Sequence, residues 1–229
     1  DQKIFCLHDP PHLIKSMRNL LLENDVVSST GTANWKDIKK LHQLDVVKAI
    51  RIVPKLTNLH VERPPIYGKM KVKLAAQALS HSVATGLKTY QSLGLIHEGA
   101  IGTANFCEQM NVIFDLLNSS DKFGSTPYKK GLTHETQQLI PVVIQWVKSI
   151  RVISKTGKDI TNTFHCLNGL IGTLNTVSQV LDYLRSTAGF NYLLTRRLCT
   201  DALENFFSII RQRGGYNSNP SLLSFAQAY

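Results

Sequence analysis

Two places near opposite ends of the chain hold the residues best suited to chemistry. Asp9 lies where a short β-prone segment, Lys3 to His8, runs into Pro10 and Pro11. Proline ends a strand and is accepted in the first turn of a helix, so the spacing predicts a strand-to-helix junction with Asp9 at its corner. Asp201 and Glu204 open another helix and share one face, because residues i and i+3 are neighbours there. Carboxylates delivered from separate elements suit Mg2+, which takes oxygen ligands and, in pairs, serves the attacking and leaving oxygens of phosphoryl transfer. The same residues also suit a plain helix start, with Asp201 favouring the dipole and Glu204 solvated.

A second polar stripe, Asn111, Asp115 and Asn118, follows helical spacing beside an apolar one. It reads either as the wet side of a helix or as a ligand-facing edge. No G-x-x-x-x-G-K-[ST] string is present, which excludes an ordinary phosphate-cradling P-loop, and no N-K-x-D string supports guanine selection. The Gly68-Lys69 turn before Met70 could offer backbone N–H groups to an anion at a helix start, or simply cap that helix. His12, Lys15 and Arg18 fall on the polar side of the first helix, where they suit DNA phosphate or solvent equally. Arg211 and Arg213 could grip phosphate, yet cations in a last turn also complement the helix dipole. Cys6, His8 and His12 are three donors without a patterned fourth and read as structural, not as a zinc site. No Ser-His-Asp or Cys-His arrangement stands out.

The elements that must position these residues are mostly helical. Leu13, Ile14, Met17, Leu20 and Leu21 predict an amphipathic helix over His12 to Asn24 with a basic outer side. Residues 25 to 34 read as a loop or short strand, and Trp35 to Val47 resumes helical spacing. Three further stripes predict helices: Val72, Ala76, Leu79, Val83, Leu87 and Tyr90; Phe106, Met110, Ile113 and Leu117; and Leu167 through Leu184. A fourth helix, from about Thr133 to Ile153, is apolar nearly all round and contains Pro141, which predicts burial and a kink or restart there. Asn191 to Leu198 reads as a strand or extended connector. Thr200 then caps a helix whose core stripe is Leu203, Phe206, Phe207 and Ile210, ending at Gly214-Gly215, and Pro220 to Tyr229 reads as one more short helix. Trp35 and Trp146 are expected in the core.

The 26 Lys and Arg against 16 Asp and Glu leave a formal charge of +10 on 229 residues, which points to a polyanionic partner such as nucleic acid or nucleotide. With 43% hydrophobic and 18% charged residues, the chain has enough apolar content to bury a core and is not a disordered tail. The four cysteines are scattered without a C-x-x-C, so neither a disulfide framework nor a zinc ribbon is expected. Neither a membrane span nor a secretory leader is expected, and a soluble intracellular protein is the reading.

Three strings carry a family resemblance: Asp9-Pro10-Pro11-His12-Leu13-Ile14-Lys15-Ser16-Met17-Arg18-Asn19, Met70 through Gln77, and Leu194 through Ser208 with Arg211 to Gly215. Their order along nearly the whole chain resembles the P-element transposase family, which includes host-domesticated relatives carrying a THAP zinc finger. The resemblance implies a mainly α, overall α+β chain. A helical GTP-binding insertion domain at 45–190 would be flanked by split pieces of an RNase H-like α/β core at 1–44 and 191–229. It implies that Asp9 and Glu204 are the second and third catalytic metal ligands, with Asp201 beside them and a first Asp upstream of Asp1, so that this fragment alone does not cleave DNA. GTP would act as a cofactor for DNA assembly, with contacts at Lys55, Lys71, Val72, Ser80, Phe114, Asp115, Asn118 and Asp201. The chemistry is reasonable, since lysine neutralises phosphate, Phe114 offers a stacking face, and a carboxylate accepts two N–H bonds from guanine that adenine does not offer. Transposon-end and target DNA, a homo-oligomer and a nuclear location are likewise implied, and a domesticated module that binds without catalysis is the alternative.

Overall fold

The computed structural model describes residues 3–62, 66–126, 128–215, 217, 219 and 221–229, in two compact units, Asp1–Arg197 and Leu198–Tyr229. In the first, α1 (Pro10–Glu23) starts as its sequence dictates. Asp9 is the N-cap, its side chain accepting from the His12 N–H, and both prolines sit where a missing N–H costs nothing. Leu13, Ile14, Met17, Leu20 and Leu21 are all buried. The segment before it, expected as a strand, has no sheet partner among the described residues. Its anchor is a side chain instead: the His8 N–H donates to Thr173 Oγ1 at 3.0 Å, and the Thr173 hydroxyl donates back to the His8 carbonyl. Backbone polar groups need partners, and a threonine on a helix supplies them here.

Arg18 corrects the expected basic outer side of α1. It is fully buried, its Nη2 donating to the Lys69 carbonyl at 2.9 Å and the Gly68 carbonyl at 3.4 Å, its Nε to Asn19 Oδ1. Burial pulls its pKa below the ordinary guanidinium value. A helical position one residue past Met17 lies at the edge of the apolar stripe, and two waiting carbonyls decide which way a long cation turns. The phosphate role considered for Arg18 is therefore withdrawn.

A hairpin follows, β1 (Asp25–Ser28) and β2 (Gly31–Ala33), paired antiparallel with Val26 opposite Ala33. In α2 (Trp35–Asp45), capped by the Asn34 side chain on the Lys36 N–H, both carboxylates turn inward. Asp37 accepts from the Thr103 hydroxyl and pairs with His97 Nε2 at 2.8 Å. Asp45 is fully buried, accepting from the Ile52 N–H at 2.7 Å, Arg51 Nε at 3.0 Å and the Tyr90 hydroxyl at 3.3 Å. That buried charge is thus fully engaged, and it folds the 46–57 loop back on the molecule.

Short helices α3 (Asn58–Val61), α4 (Ile66–Met70) and α5 (Val72–Ala78) lead to α6 (His81–Ser92) and α7 (Ala100–Leu117). The expected Val72–Tyr90 helix is thus broken in two. Leu79 leaves helical geometry at φ −101°, ψ 44°, and Ser80 caps α6 by accepting from the Val83 N–H. Leu79 and Val83 are both buried, so apolar periodicity runs through the break without registering it. Gly68 and Lys69 lie inside α4, where their carbonyls hold Arg18; they do not form the turn before a helix start suggested by the sequence.

The fourth apolar stretch becomes β3 (Leu132–Thr133), α8 (His134–Gln137), α9 (Ile140–Lys148) and β4 (Arg151–Ile153). The helix restarts at Pro141, in its first turn, as the sequence suggests. Residues 151–153 are strand and not helix, pairing antiparallel with β1 to give a sheet ordered β2-β1-β4. Val142 is 70% exposed, so α9 is not buried all round. The long α10 (His165–Ala188) ends on Gly189 in the left-handed region, φ +67°. The chain then returns through β5 (Tyr192–Leu193), antiparallel to β3, and Thr195 locks onto the end of α7 through Ser119 and the Leu116 carbonyl. Trp35 and Trp146 are buried.

The Leu198–Tyr229 unit contains α11 (Asp201–Arg213) and α12 (Leu222–Ala228). Phe206 and Phe207 meet Phe225 at ring-centroid distances of 6.4 Å. Of the apolar stripe expected as core, Ile210 is buried, whereas Leu203 and Phe207 are exposed. Pro220, where the sequence reading opened the last helix, lies outside the described residues.

Candidate functional site

A cavity of about 650 Å³ opens among α5, α6, α7 and two loop segments. Its first wall is the 53–56 segment, which carries Lys55. Arg51 holds this segment by donating to the Val53 carbonyl at 3.2 Å and to the Leu56 carbonyl, and Asp45 in turn holds Arg51. A second wall is α5, presenting Lys73 and Gln77. Burial lowers the pKa of His60, and its Nδ1 accepts from the Thr57 N–H, so Nε2 carries the proton that reaches Gln77 Oε1 at 3.1 Å.

The opposite side is built by α6 and α7. Glu108, Asn111, Phe114 and Asp115 line the cavity from one face of α7, and Ser80 and His81 from the start of α6. His81 is fastened twice: Nδ1 lies 2.8 Å from Glu108 Oε1, and its N–H donates to Asn111 Oδ1 at 3.1 Å. Asn111 Nδ2 then donates to Asp115 Oδ2 at 2.9 Å. Burial pushes the Asp115 carboxyl above the ordinary range, opposed by Lys129 and the Asn111 bond. Thr126, Tyr128 and Lys129 close the remaining side. The Thr126 hydroxyl oxygen is buried there with no hydrogen-bond partner among the described residues. A slot with aromatic faces, a desolvated carboxylate and lysines around it matches the chemistry of a nucleotide: base, N–H edge and phosphates.

The fold thus brings Lys55, Ser80, Phe114 and Asp115 together on one cavity. It sets Lys71, Val72 and Asn118 outside that lining: Lys71 is the exposed N-cap of α5, Val72 its first residue, and Asn118 the C-cap of α7. Asp201 belongs to the other unit. Lys73, Gln77, His81, Glu108, Tyr128 and Lys129 escaped sequence reasoning. For Glu108 the spacing to Asn111 and Asp115, i, i+3 and i+7, was the available signal. The Thr126–Lys129 segment has no periodicity that could have marked it.

The proposed metal ligands fall one in each unit. Asp9 caps α1, only 10% of its side chain accessible, with Oδ2 2.6 Å from His12 Nδ1. Glu204 is exposed in the first turn of α11, its Oε1 3.5 Å from the Thr200 hydroxyl. His12 is exposed and Lys15 half-buried on the outer side of α1, and Arg211 and Arg213 are exposed at the end of α11.

Residues 11–131 match the family described as "TNP-like, GTP-binding insertion domain", and residues 197–229 match "TNP-like, RNase H C-terminal domain". The chain is 31% identical to the "Transposable element P transposase" of Drosophila melanogaster, covering 97% of this chain and 29% of that protein. It is 30% identical to the "DNA transposase THAP9" of Homo sapiens, covering 100% of this chain and 26% of that one. Among solved structures, the "Drosophila P element transposase strand transfer complex" superimposes with a TM-score of 0.83 at 26% identity, over 97% of this chain and 50% of that chain. The chain therefore spans less than a third of the curated relatives it matches. With a family match over more than half of its residues, and a carboxylate-bearing cavity inside that match, the chain belongs to the P-element transposase family and carries its GTP-binding insertion domain.

Proposed function

We propose that this chain is the nucleotide-binding part of a DNA transposase, which takes GTP in the α5–α6–α7 cavity as a cofactor for assembly on DNA. The observation that carries the reading is the convergence of Phe114, Asp115, Ser80 and Lys55 on one cavity. The wall fits the group on its own chemistry: a half-buried carboxylate calls for N–H donors from a ligand, and a buried hydroxyl with no partner among the described residues can accept from or donate to one. Asp115 would accept from the guanine N1–H and 2-amino group, Phe114 and Tyr128 would flank the ring, and Lys55 and Lys73 would face phosphate. Lys71, Val72, Asn118 and Asp201 stay as proposed contacts on the strength of the family resemblance alone. Bound GTP would add concentrated negative charge to a basic protein and so change how it meets DNA.

Magnesium is proposed at Asp9 and Glu204, with Asp201 near Glu204 in sequence, all offering the carboxylate oxygens that a hard cation takes. His12 Nδ1 lies 2.6 Å from Asp9 Oδ2, so one oxygen of that carboxylate already has a partner. His12, Lys15, Arg211 and Arg213 are the proposed phosphate contacts to transposon-end and target DNA. DNA cleavage and strand transfer, self-association and a nuclear location are proposed for the intact protein.

Thermal unfolding tests the nucleotide reading. GTP with Mg2+ at one hundred times its Kd should stabilise the chain by about 2.7 kcal/mol, visible as a raised Tm. ATP at the same concentration should give little shift. No shift at millimolar GTP, or equal shifts with both nucleotides, refutes a guanine site.

A further inference from the structure

We propose that Asn111 is the positioning residue of this nucleotide site: it ties the first turn of α6 to the Asp115 carboxylate and fixes the direction in which that carboxylate meets the base. The inference rests on the GTP reading and adds a residue to which no role has been given.

The geometry leaves the amide one orientation. The His81 N–H only donates, so it takes the Asn111 oxygen; an ionised Asp115 only accepts, so it takes the amide nitrogen. His81 is the first residue of α6, whose early N–H groups have no partner within the helix. Ser80 satisfies the Val83 N–H and Asn111 satisfies the one at His81, so the first turn of α6 is held partly from α7. On the other side, a carboxylate is free to rotate about its last bond unless something stops it, and the bond to Oδ2 does. Asp115 Oδ1 makes no hydrogen bond among the described residues, and Oδ2 keeps a second lone pair. Both oxygens therefore stay available to two parallel N–H donors, in a plane that Asn111 sets. The titratable groups around the same cavity are Lys55, Lys73, His81 with Glu108, Tyr128 and Lys129. Lys129 acts on Asp115 in the same direction as Asn111, keeping it charged against burial.

A structural tie and a positioning bond are separated by Asn111→Asp. That variant keeps an oxygen for the His81 N–H but replaces the donor facing Asp115 with a second carboxylate. Two carboxylates at hydrogen-bond distance share one proton, and one of them titrates well above the usual range. Toward acid pH the shared proton stands in for the amide N–H; as pH rises it leaves and the pair repels. GTP affinity is to be measured by calorimetry at both pH values, as the ratio of variant to wild type, so that titration of groups common to both proteins cancels. Asn111→Asp should bind about tenfold or more weaker than wild type at pH 8 and recover most of that loss at pH 6. Asn111→Ala should be about tenfold weaker at both, and it carries the test if Asn111→Asp does not fold. Wild-type affinity in either variant at pH 8, or a loss in Asn111→Asp that ignores pH, overturns the assignment. Wild-type protein that fails to bind GTP sinks the parent reading instead, and this proposal with it.

Discussion

In the proposed nucleotide site, Asp115 would join stability to recognition at the scale of one side chain. Burial raises the pKa of its carboxyl, so folding penalises the ionised form. The ionised group costs stability above that raised pKa, and the cost fades as pH falls through it. Asp115→Asn has no charge to desolvate. The unliganded variant should therefore melt at or above wild type at pH 8, with the gap narrowing toward acid pH. In binding it should lose GTP and gain xanthosine triphosphate, because an amide donor suits the carbonyl that xanthine carries in place of guanine's 2-amino group. A calorimetric comparison of the two nucleotides checks it, and retention of GTP preference would remove Asp115 from base recognition. Asp115 was legible in the sequence as part of a polar stripe, but its desolvation was not, since burial depends on what packs against α7. Arg18 marks the same limit from the other side: helical spacing alone gives it the polar face, and the carbonyls of Gly68 and Lys69, fifty residues away, turn it inward.

Among the elements, α7 is the scaffold of the site, and its approach to the β1–β2 hairpin depends on Gly102. A methyl group there would lie 2.3 Å from the Thr32 carbonyl oxygen and 2.6 Å from the Thr32 nitrogen, both backbone atoms that cannot swing away. Gly102→Ala should lower stability by roughly 1–3 kcal/mol or more, despite alanine's better helix propensity, as read from a urea midpoint. An unchanged midpoint would show that α7 and the hairpin do not meet this closely. The α5–α6 break illustrates what periodicity misses. Val72 through Tyr90 keep helical spacing because both helices bury into one core, while the interruption at Leu79 and Ser80 is local backbone geometry. Ser80, three residues before Val83, was the capping signal that the apolar stripe overrode.

For the molecule as a whole, the proposed DNA contact would rest on the excess of positive charge. Binding should weaken steeply with salt, and Arg211→Gln with Arg213→Gln should reduce the magnitude of the log-affinity against log-salt slope by about 0.9 for each phosphate that is no longer neutralised. Fluorescence anisotropy across a salt series measures this, and an unchanged slope would reassign both arginines to the dipole of α11. Arg211 and Arg213 are exposed at the end of α11, while the acids of α2 are turned inward, Asp37 to Thr103 and His97, Asp45 to Arg51 and Tyr90.

The amino-acid order by itself determined the helical character of the chain, the Asp9 cap before paired prolines, the restart at Pro141, the α11 boundaries and the family strings. Each of these is written in neighbours a few positions apart, where backbone sterics, capping and apolar spacing act. Tertiary structure alone decided that Lys3–His8 is not a strand, that residues 151–153 are one, that Arg18 is buried, and that Lys55, Ser80, Phe114 and Asp115 meet at a single cavity. Those outcomes depend on partners dozens to more than a hundred residues away, and desolvation and hydrogen-bond satisfaction are properties of that packed neighbourhood, not of local sequence.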